Sequence, residues 1–187
     1  MTKPNNLIGS VQRAINILNL FSENEFELGT TEIAKRLDLP KSTAAGLIAT
    51  LLHNNYLDQN PANRKYRLGY KLAERAHILL TSNNLRQVAY PFIEELHRNV
   101  GESVNLGVKD DNTIVYIERL HGSKMLSMRP EIGKREPIHS TALGKSILAI
   151  LPVKEISNFI MGYEFTKLTP NTIVQPSEFL LDIERTR

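Results

Sequence analysis

A chain of 187 residues that is 41% apolar and 23% charged can bury real cores, and has room for one large domain or two small ones. It contains no Cys, which excludes disulfides, thiolate catalysis and cysteine zinc sites and fits a reducing compartment. The net charge is only +3, yet the excess is local: residues 35–75 carry eight basic and three acidic side chains, whereas the 13 basic and 13 acidic residues from Asn83 onward cancel.

Ser10 precedes Val11, Ala14, Ile15, Leu18 and Phe21, whose spacing of three and four predicts an amphipathic helix with a serine cap. Residues 26–29 read as a connector. Thr30 or Thr31 then caps a short helix with Ile33, Ala34 and Leu37 on its inner side and Glu32 in its first turn. That helix must end at Leu39-Pro40, because a residue before proline is pushed out of the α region. A new helix restarts at Lys41 and runs to Asn54, with Ala44, Leu47, Ile48, Leu51 and Leu52 as its buried stripe. Two helices joined by so tight a turn are a helix-turn-helix. Strands over 56–58 and 65–68, joined by the turn-rich residues 59–64, form a hairpin, and a hairpin after a recognition helix is a wing.

Gly69 closes the hairpin, a helix follows from Tyr70 to about Leu80, and residues 81–84 make the domain boundary. Leu85, Val88, Ala89, Phe92, Ile93, Leu96 and Val100 carry the next helix, stopped by Gly101. Strands are expected over 103–108, 113–120 and 124–128. Helices come next over 141–151, stopped by Pro152, and over 154–161, and the chain finishes on the charged stretch 182–187 with no stop signal. No apolar run approaches the roughly 20 residues of a membrane span, and residues 1–6 lack the apolar stretch of a secretory leader, so a cytoplasmic protein without membrane contact is expected.

The major groove accepts one α-helix, whose first residues meet base edges and phosphates. Lys41 suits phosphate neutralisation, Ser42 and Thr43 can donate to phosphate or base, and Ala45, Gly46 and Ala49 leave room for close approach. In the wing, Asn63, Arg64 and Lys65 would reach the backbone or the adjacent minor groove. By pattern alone, the same segments also fit three packed helices with a charged hairpin used for protein contacts. Catalytic readings fail on spacing. His139 and Ser140 are adjacent and there is no G-x-S-x-G, so no triad is drawn. Lys145 sits in a helix, where a solvated lysine is commoner than a Schiff base. His53, His77, His97, His121 and His139 are scattered without metal-site spacing, and no Gly-rich phosphate loop is present, so no cofactor or metal is expected.

Four stretches in order, SVQRAINILNLF, TTEIAKRLDLPKSTAAGLIATL, YLDQNPANRKYRLGYKL and PIHSTALGKSILAILP, resemble the IclR family of bacterial transcriptional regulators, and the likeness spans the chain. The last stretch is the most specific of the four. The resemblance implies an α+β protein with a winged helix-turn-helix over residues 8–69, a linker helix over 70–84 and a GAF-like α/β effector-binding domain over 85–187. It implies a non-enzymatic, sequence-specific regulator of a catabolic operon, a repressor in most of the family. Such a regulator acts as a homodimer or homotetramer on a palindromic double-stranded DNA operator, and responds to a small organic acid or aromatic effector.

Carried over by residue, the DNA-facing set is Thr30, Thr31, Lys41, Ser42, Thr43, Ala45, Gly46, Ala49, Asn63, Arg64 and Lys65. Lys41-Ser42-Thr43 matches the family pattern, and Ala45-Gly46 departs from the polar or basic pair often found there, which moves the reading weight to Lys41–Thr43 and the wing. The effector set is His139, Ser140, Thr141, Ala142, Leu143 and Gly144, with Leu126 and Met128 as a pocket wall. A helix N-terminus with hydroxyls beside it favours a carboxylate. The competing reading is that Ser140 or Thr141 merely caps its helix and that Leu126 and Met128 are ordinary core. Family effector domains continue past the last residue here, so a partial effector domain with an exposed sheet edge is expected. The second functional reading is a winged-helix module for protein contacts or oligomerisation, joined to an inert sensor.

Overall fold

The computed structural model describes residues 7–122 and 132–187, so the strand expected over 124–128, with Leu126 and Met128, lies outside the described residues. The described chain is α+β and separates into two units, Met1–Ser82 and Asn83–Arg187.

The first unit runs α1 (Gly9–Leu18), α2 (Thr30–Arg36), α3 (Lys41–His53), β1 (Leu57–Gln59), β2 (Tyr66–Leu68) and α4 (Lys71–Thr81). Its core is Ile17, Leu28, Ile33, Ile48, Leu51 and Leu57, drawn from every element between α1 and β1. Two expected caps are corrected. Helix α1 begins before Ser10, with Ile8 at the cap position and no side-chain cap, so the apolar stripe alone sets it in place. Gly29, not Thr30 or Thr31, caps α2, and its N–H donates to Glu32 Oε2 at 2.8 Å. Between α2 and α3 the turn closes through Leu39 N–H to the Ala34 carbonyl at 2.9 Å, with Asp38 in the left-handed region at φ 50°. The hairpin pairs Leu57 with Leu68, Asp58 with Arg67 and Gln59 with Tyr66. The segment read as a connector does more than connect: Leu28 exchanges two backbone hydrogen bonds with Tyr66, at 2.9 and 2.8 Å, and anchors the wing to the core.

The second unit opens with α5 (Asn84–Val100), capped by Asn83 Oδ1, which accepts from the Arg86 N–H, and ended by Gly101 at φ 67°. Strands β3 (Val104–Asp110), β4 (Thr113–Leu120) and β5 (Arg135–Pro137) form an antiparallel sheet in that order, and both α5 and α6 (Ala142–Ala149) pack on β3 and β4. A single 3-10 turn, Ile138–Ser140, links β5 to α6, and helices α7 (Val153–Gly162) and α8 (Pro176–Thr186) follow. The core is Ile114, Ile138, Leu148, Ala149, Ile156, Phe179 and Ile183. Two elements were not expected. β5 is three residues long, with proline as its last residue, where a missing donor is tolerated. α8 runs through the charged end that showed no stop signal: Phe179 and Ile183, one turn apart, are fully buried, and the Arg187 guanidinium donates to the carbonyls of Ala149 and Leu151, both at 2.7 Å, capping the end of α6.

Candidate DNA interface and effector cleft

Burying Ala44, Ile48 and Leu51 turns the opposite side of α3 to solvent. Lys41, Ser42, Ala45, Gly46 and Ala49 all lie on that exposed side, and Thr43 is half-buried at its margin. Between Ser42 and Ala49 this face carries no acid and no side chain larger than a threonine. A methyl added at Gly46 would meet nothing within 4 Å, so no packing partner calls for glycine there. Thr50 and His53 share the exposed side. Thr50 spends its hydroxyl proton on the Gly46 carbonyl at 2.9 Å. Thr31 is exposed at the start of α2 and Thr30 is half-buried.

The wing is tightly pinned. Glu27 accepts from the side-chain amides of Asn60 and Asn63, at 2.8 and 2.7 Å, and these bonds hold its carboxyl below the usual range. Asn63 Oδ1 accepts the Lys65 N–H at 2.9 Å, so both ends of its side chain are engaged and it shapes the wing. Lys65 lies 3.7 Å from Glu32, and Arg67 donates to Asp58 through Nε at 2.9 Å. Arg64 stands in the left-handed region at φ 60°, is exposed at the turn, and makes no ion pair among the described residues. Of the three wing residues singled out, Arg64 is thus the one whose charge is not offset locally.

In the second unit an open cleft of about 810 Å³ lies between the sheet, the start of α6 and the segment after α7. Of the residues expected to face an effector, His139, Ser140, Thr141 and Ala142 line it. Leu143 and Gly144 do not. Leu143 packs into the core, and Gly144 is buried so close to the Ile138 carbonyl that a Cβ would sit 1.9 Å from its oxygen. The side chains that the sequence did not offer are Asn105, Tyr116, Lys134 and Glu136 from the sheet region, Lys145 from α6, and residues between Leu168 and Ile173. Lys145, read as solvated, is ion-paired to Asp182 at 2.6 Å.

The two hydroxyls at the helix start are not equivalent. Ser140 donates its proton to the Pro137 carbonyl at 3.0 Å, whereas Thr141 accepts from the Gly144 N–H at 3.0 Å and keeps its own proton for another acceptor. Thr141 is therefore both cap and potential anion donor, so the competing readings of that residue are compatible. His139 is 1% exposed and both ring nitrogens are engaged, Nδ1 with the Tyr163 hydroxyl at 2.7 Å and Nε2 with the Thr166 carbonyl at 3.0 Å. Burial holds its pKa below the ordinary histidine value, with the Lys145 charge adding in the same direction.

Residues 10–61 match the IclR helix-turn-helix domain, and residues 77–187 match the C-terminal domain of the bacterial transcriptional regulator IclR. The chain is similar to the HTH-type transcriptional regulator XynR of Escherichia coli (strain K12), with 41% identity over 181 residues that make up 97% of this chain and 72% of that protein. Among solved structures, a transcriptional regulator from Rhodococcus sp. RHA1 matches with a TM-score of 0.80 at 27% identity, over 97% of this chain and 71% of that one. An IclR homologue from Microbacterium hydrocarbonoxydans, complexed with 4-hydroxybenzoate, matches with a TM-score of 0.75 at 25% identity, over 94% of this chain and 72% of that one.

Proposed function

The chain belongs to the IclR family of bacterial transcriptional regulators, and from that premise we propose that it represses a catabolic operon by binding a palindromic operator, and releases it in response to a small carboxylate. DNA is read by Lys41, Ser42 and Thr43 at the start of α3, with Ala45, Gly46 and Ala49 giving clearance and Arg64 reaching from the wing. The observation that carries this reading is the exposed side of α3, free of acids and bulky groups from Lys41 to Ala49. Lys41 there can neutralise a phosphate, and the small side chains after it let the helix enter the groove.

A palindrome requires two reading heads, and the proposal is a homodimer or homotetramer. Leu7, Ile8, Val11 and Ile15 support it, since they leave 44–69% of their surface exposed at the start of the first unit. The effector reading rests on the cleft. Thr141 with its spare proton and the start of α6 line one cavity with Asn105 and Thr169, beside the Lys145–Asp182 ion pair, which suits an anion carrying further hydrogen-bonding groups. Action is by binding and not by catalysis, in a cytoplasmic setting. No helix among the described residues is long and apolar enough to cross a membrane.

Gel shifts on the upstream region of the gene test the DNA half. Lys41→Ala should weaken binding to all sequences alike, and Thr43→Ala should change sequence preference. An unchanged preference in Thr43→Ala rejects base reading by that residue. A thermal-shift panel of small carboxylic acids, 4-hydroxybenzoate included, tests the effector half, because a ligand that binds only the folded state raises the melting temperature. No shift at any member of the panel favours the winged-helix interaction module with an inert sensor.

A further inference from the structure

We infer that His139 serves the effector cleft indirectly, as the hub of a hydrogen-bonded relay to Tyr163 and Thr166 that fixes residues 163–173 as one wall of the cleft. The proposal rests on the reading of that cleft as the effector site, and it assigns His139 a positioning role in place of ligand contact.

The proton positions follow from the partners. The Thr166 carbonyl can only accept, so Nε2 carries the ring proton. Nδ1 then holds a lone pair, and the Tyr163 hydroxyl donates to it at 2.7 Å. A neutral ring so placed has nothing left to offer a ligand. What it does hold is a segment with no helix or strand of its own, lying between the end of α7 at Gly162 and the start of α8 at Pro176. Leu168, Thr169, Thr172 and Ile173 of that segment line the cleft opposite the start of α6.

The remaining hold on the segment is aromatic. Tyr163 lies 4.5 Å from Phe159 by ring centroids, and Phe165 meets His139 and Phe179 edge-on at 5.4 and 5.2 Å. The Phe159–Tyr163 and Phe165–Phe179 contacts are indifferent to charge, whereas the relay is not. A second proton on His139 would occupy Nδ1 and leave the Tyr163 hydroxyl facing a donor. The charged groups that share the cleft with His139 are Lys145 on α6, paired with Asp182 on α8, and Lys134, paired at 3.0 Å with Glu136 of β5. Glu164 and Lys167, on the segment itself, are exposed. His139 is the member of this group whose ordinary pKa lies between pH 5.5 and 7.5.

The test is hydrogen exchange on the full chain without ligand, corrected for intrinsic rates, at pH 7.5 and 5.5, so its failure is separate from any failure to find an effector. Opening the segment exposes the ring to its ordinary pKa near 6.5, so protection of 163–173 should fall, by up to about tenfold, between the two pH values. Protection in β3 and β4 should not follow. His139→Gln, which keeps a donor toward Thr166 but cannot titrate, should abolish the pH step. Tyr163→Phe, which keeps the ring packing, should already show reduced protection of the segment at pH 7.5. Wild-type protection that is equal at both pH values, or Tyr163→Phe protection equal to wild type, overturns the proposal. Because the wild-type profile decides by itself, a variant that fails to fold does not leave the question open.

Discussion

Two helical glycines should respond in opposite directions to the same substitution. A Cβ on Gly144 would lie 1.9 Å from the Ile138 carbonyl oxygen and 2.6 Å from its carbon, where ordinary contact begins at 3.4 Å. The obstacle is backbone, so no side chain can swing aside, and either α6 or the turn before it must retreat by about 1.5 Å to restore ordinary contact. Overpacking of this kind costs about 1–3 kcal/mol, offset by up to about 1 kcal/mol from the better helix propensity of alanine. Gly144→Ala should therefore lower the stability of the second unit by about 1–2 kcal/mol, which for a domain of its size is a fall of roughly 5–15 °C in melting temperature. Gly46 is the control. Its added methyl meets nothing within 4 Å, so Gly46→Ala should gain about 0.5–1 kcal/mol and raise the melting temperature of the first unit by a few degrees. Calorimetry on both variants reads the two effects. A Gly144→Ala protein that melts with the wild type refutes the close approach of α6 to Ile138.

Glu118, 5% exposed, pairs with Arg86 at 2.6 Å, so Arg86→Ala should strand a buried carboxylate and cost about 2 kcal/mol or more in urea denaturation; a loss below about 0.5 kcal/mol refutes the pair. The two units should also differ in acid. His139 has a lowered pKa, so the unfolded chain takes up a proton that the native one refuses; the stability of the second unit is complete above about pH 6.5 and declines as pH falls through that value. Hydrogen bonds hold Glu25, Glu27, Glu32 and Asp58 below their ordinary values, with Arg36, Asn60, the Gly29 N–H and Arg67 as their largest respective causes. The first unit should accordingly keep its stability until the pH falls below about 4.5. Unfolding midpoints of each unit followed from pH 8 to 4 would show this order, and loss from the first unit before the second contradicts it. In the wing, Glu27→Ala removes the acceptor of two amides, and exchange of the 60–65 backbone should quicken while α3 is unaffected; an unchanged wing refutes the pinning role.

Elements with a long apolar period were legible. α3 and α5 were found because their stripes repeat over several turns, and the hairpin because turn formers separate two short apolar runs. What escaped depends on partners far along the chain. Leu28 reads, with Phe26, as an apolar residue in a polar stretch, and only Tyr66, 38 positions later, gives it a backbone bridge to the hairpin. β5 is three residues with charges and a proline, too short for a period. α8 did carry a signal, Pro176 at its first position and Phe179 with Ile183 one turn apart, that the charged residues around it obscured. The sites divide in the same way. The exposed face of α3 follows from its own buried stripe, whereas the role of His139 turns on Tyr163 and Thr166, and that of Lys145 on Asp182.

The central claim, that this chain reads DNA through the start of α3 and the Arg64 wing, meets its most direct test in salt-dependent binding. Anisotropy titrations would compare a duplex from the gene's upstream region with a scrambled duplex, from 50 to 300 mM salt, for wild type, Lys41→Ala and Arg64→Ala. The account predicts that the wild type prefers the upstream duplex by about 10³ or more, with log affinity falling linearly against log salt, and that each variant flattens that slope by about one. Equal affinity for the two duplexes, or slopes unchanged in both variants, would contradict it.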